Sequence, residues 1–244
     1  MKTVASVIFD LEGTLVRTAE MTKELVHDFR RQTRMKLIEL GVPGETLDGV
    51  EPTSALMRNK AMQYADANLS NSEKVKLVQE LNRFLLGHEL KWAENSALFP
   101  DTIPALRTLR SRGIGMAIVT NTSRQAAQSI LAKHALPEYF KVVITRDSVA
   151  KVKPDPQGTL LAIEQLQERT AFFVGDMPID TEAAGRAGIK SILIKRSWPP
   201  GLFSFTFPAD YTIESLSEIP RILEFCQGHF VWKVEVDRPW NPCL

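Results

Sequence analysis

The chain has 244 residues, long for one domain and short for two, and with 44% hydrophobic and 24% charged residues it reads as a packed α/β core carrying an inserted module. A net charge of +1 gives no basic field for nucleic acid or a membrane surface, which leaves a small anionic ligand as the natural partner. No apolar run reaches the roughly 18 residues of a membrane span, and Cys226 and Cys243 form neither a C-x-x-C pair nor a His-flanked zinc site, so reduced thiols in a soluble, unprocessed cytoplasmic protein are expected.

The chain opens on Val4-Ala5-Ser6-Val7-Ile8-Phe9, an apolar, β-rich run suited to a strand buried on both faces. It breaks at Asp10-Leu11-Glu12-Gly13-Thr14, where Gly13 permits a sharp exit. Asp10 then stands at the strand's carboxyl end, where open parallel sheets bind ligands. Acids at i and i+2 can set one at a reacting centre and one above it, and can hold a metal.

From Thr18 to about Trp92 the pattern is helical, with no strand signal. Met21, Leu25 and Phe29, then Leu37 and Leu40, mark one face before Gly41-Val42-Pro43-Gly44 ends the helix. Thr53 or Ser54 can cap a second helix through Tyr64. Ser70 or Ser72 can cap a third, with Val75, Val78, Leu81, Leu85, His88 and Trp92 at spacings of three and four. His88 lies on that apolar stripe and reads as a packing residue. Arg58 and Lys60 stand where they could meet a substrate anion, although solvated surface is the ordinary role of such residues. An all-helical insert placed directly after a nucleophile strand reads as a lid.

The α/β pattern resumes near Pro100 with a helix through Leu106 and Leu109, closed by Gly113, and a strand from Ile114 to Thr120. Gly113-x-Gly115 is no dinucleotide fingerprint, because the glycines precede the strand and the third is missing. Thr120-Asn121-Thr122-Ser123 then leads into a helix carrying Ala127, Ile130 and Leu131. Hydroxyls beside the free N–H groups of a helix start can receive a phosphate, or can simply cap the helix. A strand over Phe140 to Thr145 is followed by Lys151-Val152-Lys153-Pro154-Asp155-Pro156. Pro154 holds Lys153 extended and Pro156 suits a helix start, so Lys153, rather than Lys151, aims one positive charge.

The strand Thr170 to Gly175 ends, like the first, in an acid, Asp176. Met177-Pro178-Ile179 carries the chain to Asp180, expected to open a helix over Thr181 to Ala187, and a strand follows from Lys190 to Ile194. Trp198 to Gly201 reads as a loop, Ala209 to Ile213 as a short edge strand and Ser215 to Phe225 as a closing helix. Phe230 to Val236 alternates well enough for one more strand, to which no function is assigned.

Asp10-Leu11-Glu12-Gly13-Thr14-Leu15 resembles the first motif, DxDGT[LV], of the haloacid dehalogenase-like hydrolase superfamily, with Glu12 in place of the second Asp, a substitution also found in its enolase-phosphatase branch. Thr120, Lys153-Pro154 and Gly175-Asp176-x-x-x-Asp180 resemble the second, third and fourth motifs, and the resemblance, to the phosphoglycolate-phosphatase-like members of subfamily I, ends near Gln227. It implies a Rossmann-like parallel sheet core over 1–16 and 98–228, an all-helical cap over 17–97 and a C-terminal extension over 229–244. It implies hydrolysis of a small phosphorylated metabolite: Asp10 as nucleophile forming an aspartyl-phosphate, Glu12 as acid and base, and Thr120, the N–H of Asn121 and Lys153 on the phosphoryl oxygens. Mg²⁺ would be held by Asp10, Asp176 and the backbone carbonyl of Glu12, with Asp180 behind them; hard oxygen donors suit that ion. A dehalogenase would need neither the acid pair nor an acid at position 12. A phosphomutase would share every motif. A binding protein that had lost activity would be expected to lose some of them.

Overall fold

The computed structural model describes residues 5–18, 22–49, 53–168, 170–196 and 207–229. In chain order the strands are β1 (Ala5–Phe9), β2 (Val16–Thr18), β3 (Ser96–Leu98), β4 (Gly115–Val119), β5 (Val142–Ile144), β6 (Thr170–Gly175), β7 (Lys190–Ile194) and β8 (Tyr211–Ile213). The helices are α1 (Lys23–Glu39), α2 (Ser54–Asn68), α3 (Asn71–Glu94), α4 (Thr102–Ser111), α5 (Arg124–Lys133), α6 (Gln157–Leu166), α7 (Pro178–Arg186) and α8 (Ile219–His229).

The apolar run of β1 is explained by its place at the middle of a sheet ordered β5-β4-β1-β6-β7-β8, in which every pairing is parallel. Val7 and Phe9 enter one core with Leu106 and Leu109 of α4, Ile130 of α5 and Leu223 of α8. Ile8, on the other face, packs with Phe173 and with Ala162 and Leu166 of α6. Successive side chains of a strand point to opposite faces, so a strand covered by helices on both sides has no polar face to show. Ser6, the polar residue of this strand, is buried and donates to the Thr170 carbonyl at 3.2 Å.

From β1 the chain steps outward to β4 and β5, then returns across the sheet to β6 and continues through β7 to β8. The order therefore reverses between the adjacent strands β1 and β6. That switch point leaves a crevice outside the carboxyl ends of the two strands.

Helices α1 to α3 bury a cluster of their own, with Leu37 and Val42, Met57, Ala61 and Met62, and Leu77, Leu81 and Leu85. Ser70 caps α3 in a reciprocal capping box with Glu73, and Thr22 and Thr53 cap α1 and α2. His88 packs against the rings of Phe29, Phe84 and Trp92, at centroid distances of 5.0, 5.0 and 6.1 Å.

Three expectations are corrected. Val16–Thr18 and Ser96–Leu98 pair as an antiparallel ribbon, Val16 opposite Leu98, so the chain enters and leaves the helical segment through a strand pair rather than running straight from helix to core. Such short strands, paired far apart in sequence, leave no local periodicity to read. Helix α7 begins at Pro178, not near Asp180, because proline's fixed φ suits the first helical position. Helix α8 starts at Ile219, after a short turn over Leu216–Glu218 whose cap is Ser215. Met21, the loop at Trp198 to Gly201 and the strand at Phe230 to Val236 lie outside the described residues.

Candidate active site

Asp10 follows β1 and Asp176 follows β6, so the two strands that flank the switch point both end in a carboxylate. The Asp10 N–H donates to the Val174 carbonyl at 2.9 Å, which carries the strand pairing up to the acid itself. Asp180 projects from the first turn of α7, and its Oδ2 accepts the Met177 N–H at 3.0 Å. All three acids are buried, and each offers an oxygen within 4.8 Å of the others. Such a cluster could hold a metal ion.

Two glycines make this crowding possible. A Cβ on Gly13, whose φ is +86°, would lie 2.2 Å from Asp176 Oδ2, and one on Gly175 would lie 2.3 Å from the Asp180 Cβ. The Thr14 hydroxyl donates to Asp176 Oδ1 at 3.2 Å.

Lys153 stands between two of the acids, its Nζ 2.7 Å from Asp10 Oδ1 and 2.7 Å from Asp180 Oδ1. Burial alone would depress the ammonium, but Asp10 and Asp180 outweigh it and hold the proton more tightly than usual. Burial pushes the Asp10 carboxyl up to about 6 against the pull of Lys153, with repulsion from Asp180 adding to the rise. The donor set is hard oxygen, three carboxylates close enough to share one ion, and in that respect it fits a divalent cation.

Glu12 is turned away from this cluster. Its Oε2 accepts the Thr122 hydroxyl and its Oε1 is buried without a partner among the described residues, so burial raises its carboxyl to about 7 despite that bond. Of the residues at the start of α5, Ser123 is the helix cap, while Thr120 and Asn121 lie on the cavity wall. The Asn121 side chain is spent on the lysine loop: its Nδ2 donates to the Lys153 carbonyl at 3.1 Å and its Oδ1 accepts the Lys153 N–H at 3.0 Å.

The cavity beside these groups has a volume of about 650 Å³, with Asp10, Thr120 and Lys153 on the sheet side and Phe29, Arg58 and Trp92 on the helical side. Arg58 is buried, donates to the Ala150 carbonyl at 3.0 Å and forms no ion pair among the described residues. Burial, with Arg146 adding repulsion, lowers its guanidinium to about 10. Lys60 is exposed, and neither Lys60 nor Lys151 lines the cavity.

Two further lining residues escape the sequence pattern. Glu89 of α3 pairs with Arg146 through both guanidinium nitrogens, both residues being buried, and its Oε2 also accepts the Ser123 N–H at 3.1 Å. Arg146 Nη1 reaches the Asn121 carbonyl at 3.3 Å and the Arg146 N–H reaches the Thr122 carbonyl at 3.0 Å. Glu89 reads as ordinary helix surface. Arg146 comes just after β5, and that strand-end position was the one available signal.

Two adjacent strands that each lead into a buried carboxylate, at the switch point of a parallel sheet, put an acid pair where such sheets bind ligands. The family model described as haloacid dehalogenase-like hydrolase matches residues 7–194. The chain is 28% identical over 223 residues to a phosphoglycolate phosphatase of Cupriavidus necator, covering 89% of this chain and 92% of that one. It is 26% identical over 240 residues to a phosphoglycolate phosphatase of Nitrosospira multiformis, covering 91% and 96%. A solved structure, the HAD phosphatase of Thermococcus onnurineus, aligns with a TM-score of 0.57 at 27% identity, covering 90% of this chain and 97% of that one. The chain belongs to the haloacid dehalogenase-like hydrolase family and is an enzyme of the hydrolase class.

No helix among the described residues is long and apolar enough to cross a membrane.

Proposed function

We propose that the protein hydrolyses a small phosphate monoester in two steps through Asp10, with Mg²⁺ as cofactor. The observation that carries the reading is the convergence of Asp10, Asp176, Asp180 and Lys153 at the ends of the two strands that flank the switch point. An Asp10 oxygen attacks phosphorus, the bond to the ester oxygen breaks, and Glu12 gives its proton to that departing oxygen. Water then attacks the aspartyl-phosphate, its proton passes to Glu12, and Asp10 leaves as the free carboxylate. Lys153, Thr120 and the Asn121 N–H hold the phosphoryl oxygens through both steps.

Asp10 and Asp176 would hold the magnesium ion, with Asp180 fixing Lys153 behind them. Because the Glu12 side chain is turned toward Thr122, any part Glu12 takes in metal binding falls to its backbone carbonyl. When bound, the ion supplies positive charge beside the transferring phosphoryl group.

Residues 1–16 and 98–228 act as the core and 17–97 as a cap that decides what enters. The names of the relatives make 2-phosphoglycolate the first substrate to assay. Arg58, buried on the cap side without an ion pair among the described residues, supports a substrate that brings a carboxylate of its own.

The test is phosphate release from 2-phosphoglycolate and p-nitrophenyl phosphate with and without Mg²⁺, for wild type and Asp10→Asn. Turnover that needs the metal and disappears in Asp10→Asn is the expected result. A variant that keeps a tenth of the wild-type rate would remove the covalent step, and a wild type idle with every divalent ion would remove the phosphatase reading.

A further inference from the structure

The loop that delivers Lys153 has almost no regular backbone pairing of its own; side chains satisfy it. Gln157 Oε1 accepts the N–H groups of Ala150 and Lys151, each at 3.0 Å. Arg58 Nη1 donates to the Ala150 carbonyl. The next two residues are each gripped at both ends by one asparagine. Asn121 takes the N–H and carbonyl of Lys153, while Asn59 takes those of Val152: its Nδ2 donates to the Val152 carbonyl at 2.7 Å, and its Oδ1 accepts the Val152 N–H at 3.0 Å.

The two asparagines come from different parts of the fold. Asn121 follows β4 of the sheet, and Asn59 sits on α2 of the helical segment, one residue after Arg58. Val152 is 2% exposed, and its carbonyl also accepts the Asp155 N–H at 3.0 Å, so it is the Val152 N–H that water could not satisfy after loss of Asn59 without opening the loop. The amide suits the task because it carries a donor and an acceptor side by side; an aspartate has only acceptors and would face the Val152 carbonyl with a charge.

We propose that Asn59 is a positioning residue for Lys153: by clasping Val152 from α2, it fixes where the ammonium stands between Asp10 and Asp180, so that docking of the helical segment completes the cationic side of the active site. Closure of the cap and placement of the lysine are then one event. The inference rests on the reading of Lys153 as the cation that holds the phosphoryl group.

The experiment is a two-by-two cycle with full-length protein and Mg²⁺, comparing wild type, Asn59→Asp, Lys153→Met and the double variant, read by kcat/KM for p-nitrophenyl phosphate and by the inhibition constant of inorganic phosphate. Misplacing a catalytic group by about 1 Å can cost up to ~10²-fold, so Asn59→Asp should weaken both quantities about tenfold when Lys153 is present. In the Lys153→Met background the same change should have less than a twofold effect. Equal losses in both backgrounds would overturn the inference and leave the phosphatase reading standing. A wild type that neither turns over nor binds phosphate would overturn both.

Should Lys153→Met fail to fold, acetylation of Lys153, followed by mass spectrometry against exposed Lys60, gives a second readout. Labelling should accelerate severalfold in Asn59→Asp relative to wild type, and an unchanged rate would overturn the proposal.

Discussion

Gly13→Ala tests the site's geometry without touching a catalytic group. The added Cβ would lie 2.2 Å from Asp176 Oδ2, 2.6 Å from its Cγ and 2.7 Å from Oδ1, all short of the 3.0 Å that real Cβ contacts respect. The carboxylate must therefore retreat by about 0.8 Å, the difference between 3.0 and 2.2 Å. Asp176 is only 5% exposed and is held by Thr14, so that retreat carries it out of register with Asp10. A displacement near 1 Å predicts a loss of up to ~10²-fold in kcat/KM. The φ of +86° adds backbone strain of about 1–2 kcal/mol, which at about 2–4 °C per kcal/mol for a chain of this size lowers the melting temperature by roughly 2–8 °C.

Gly113→Ala is the control. Its φ is +71° and its Cβ would meet nothing within 4 Å, so it should lower the melting temperature by a similar amount and keep full activity. Turnover of p-nitrophenyl phosphate with Mg²⁺ and thermal melts followed by circular dichroism give both numbers. If Gly13→Ala stayed within threefold of wild type, or Gly113→Ala lost as much activity, the steric argument would be refuted.

Glu12→Gln should slow hydrolysis of an alkyl phosphate by about 10²-fold or more, and slow p-nitrophenyl phosphate least, because that leaving group scarcely needs a proton. Burial raises Glu12 to about 7, and its acid form is the one that protonates, so wild-type turnover of the alkyl ester should fall as pH rises through that value; an alkaline limb that persists in Glu12→Gln assigns the proton to another group. Asp10 and Glu12 are both raised in the folded state, to about 6 and about 7, so the stability they contribute is present below the ordinary carboxylate range and lost as pH climbs through those values. Mg²⁺ should therefore raise the melting temperature more at pH 8 than at pH 5. At a hundredfold excess over its dissociation constant the stabilisation is about 2.7 kcal/mol, roughly 5–11 °C; equal shifts at both pH values, or a full shift in Asp176→Ala, would take the ion away from these acids.

The sheet was legible because burial on both faces forces near-continuous apolar runs, and because each run ends where polarity returns. Val7, Ile8 and Phe9 gave β1 away, and Phe172, Phe173 and Val174 gave β6 away, each leaving an acid at its carboxyl end. Helices α1 and α3 were legible for the same reason at a different period, one apolar stripe each, and α2 by its cap at Thr53. The β2–β3 ribbon was not, since three residues on each side, more than seventy apart in the chain, carry no period of their own.

What the sequence by itself determined is therefore the set of strand ends, with Asp10, Thr120 and Asp176 on them, and the two residues placed at or before the following helices, Lys153 and Asp180. Periodicity reports which side of an element is buried, and polarity reports where it stops. Tertiary structure alone decided which polar groups meet. Glu89 and Asn59 sit on helices that pattern reads only as surface or stripe, yet one closes on Arg146, 57 positions away, and the other on Val152, 93 positions away. Glu12 turned toward Thr122 and away from the acid cluster by the same kind of long-range contact. Partner choice across such separations follows from how the helical segment seats on the sheet for Glu89 and Asn59, and from the pairing of β1 beside β4 for Glu12, and a buried polar group points toward whichever partner that packing brings within hydrogen-bond reach.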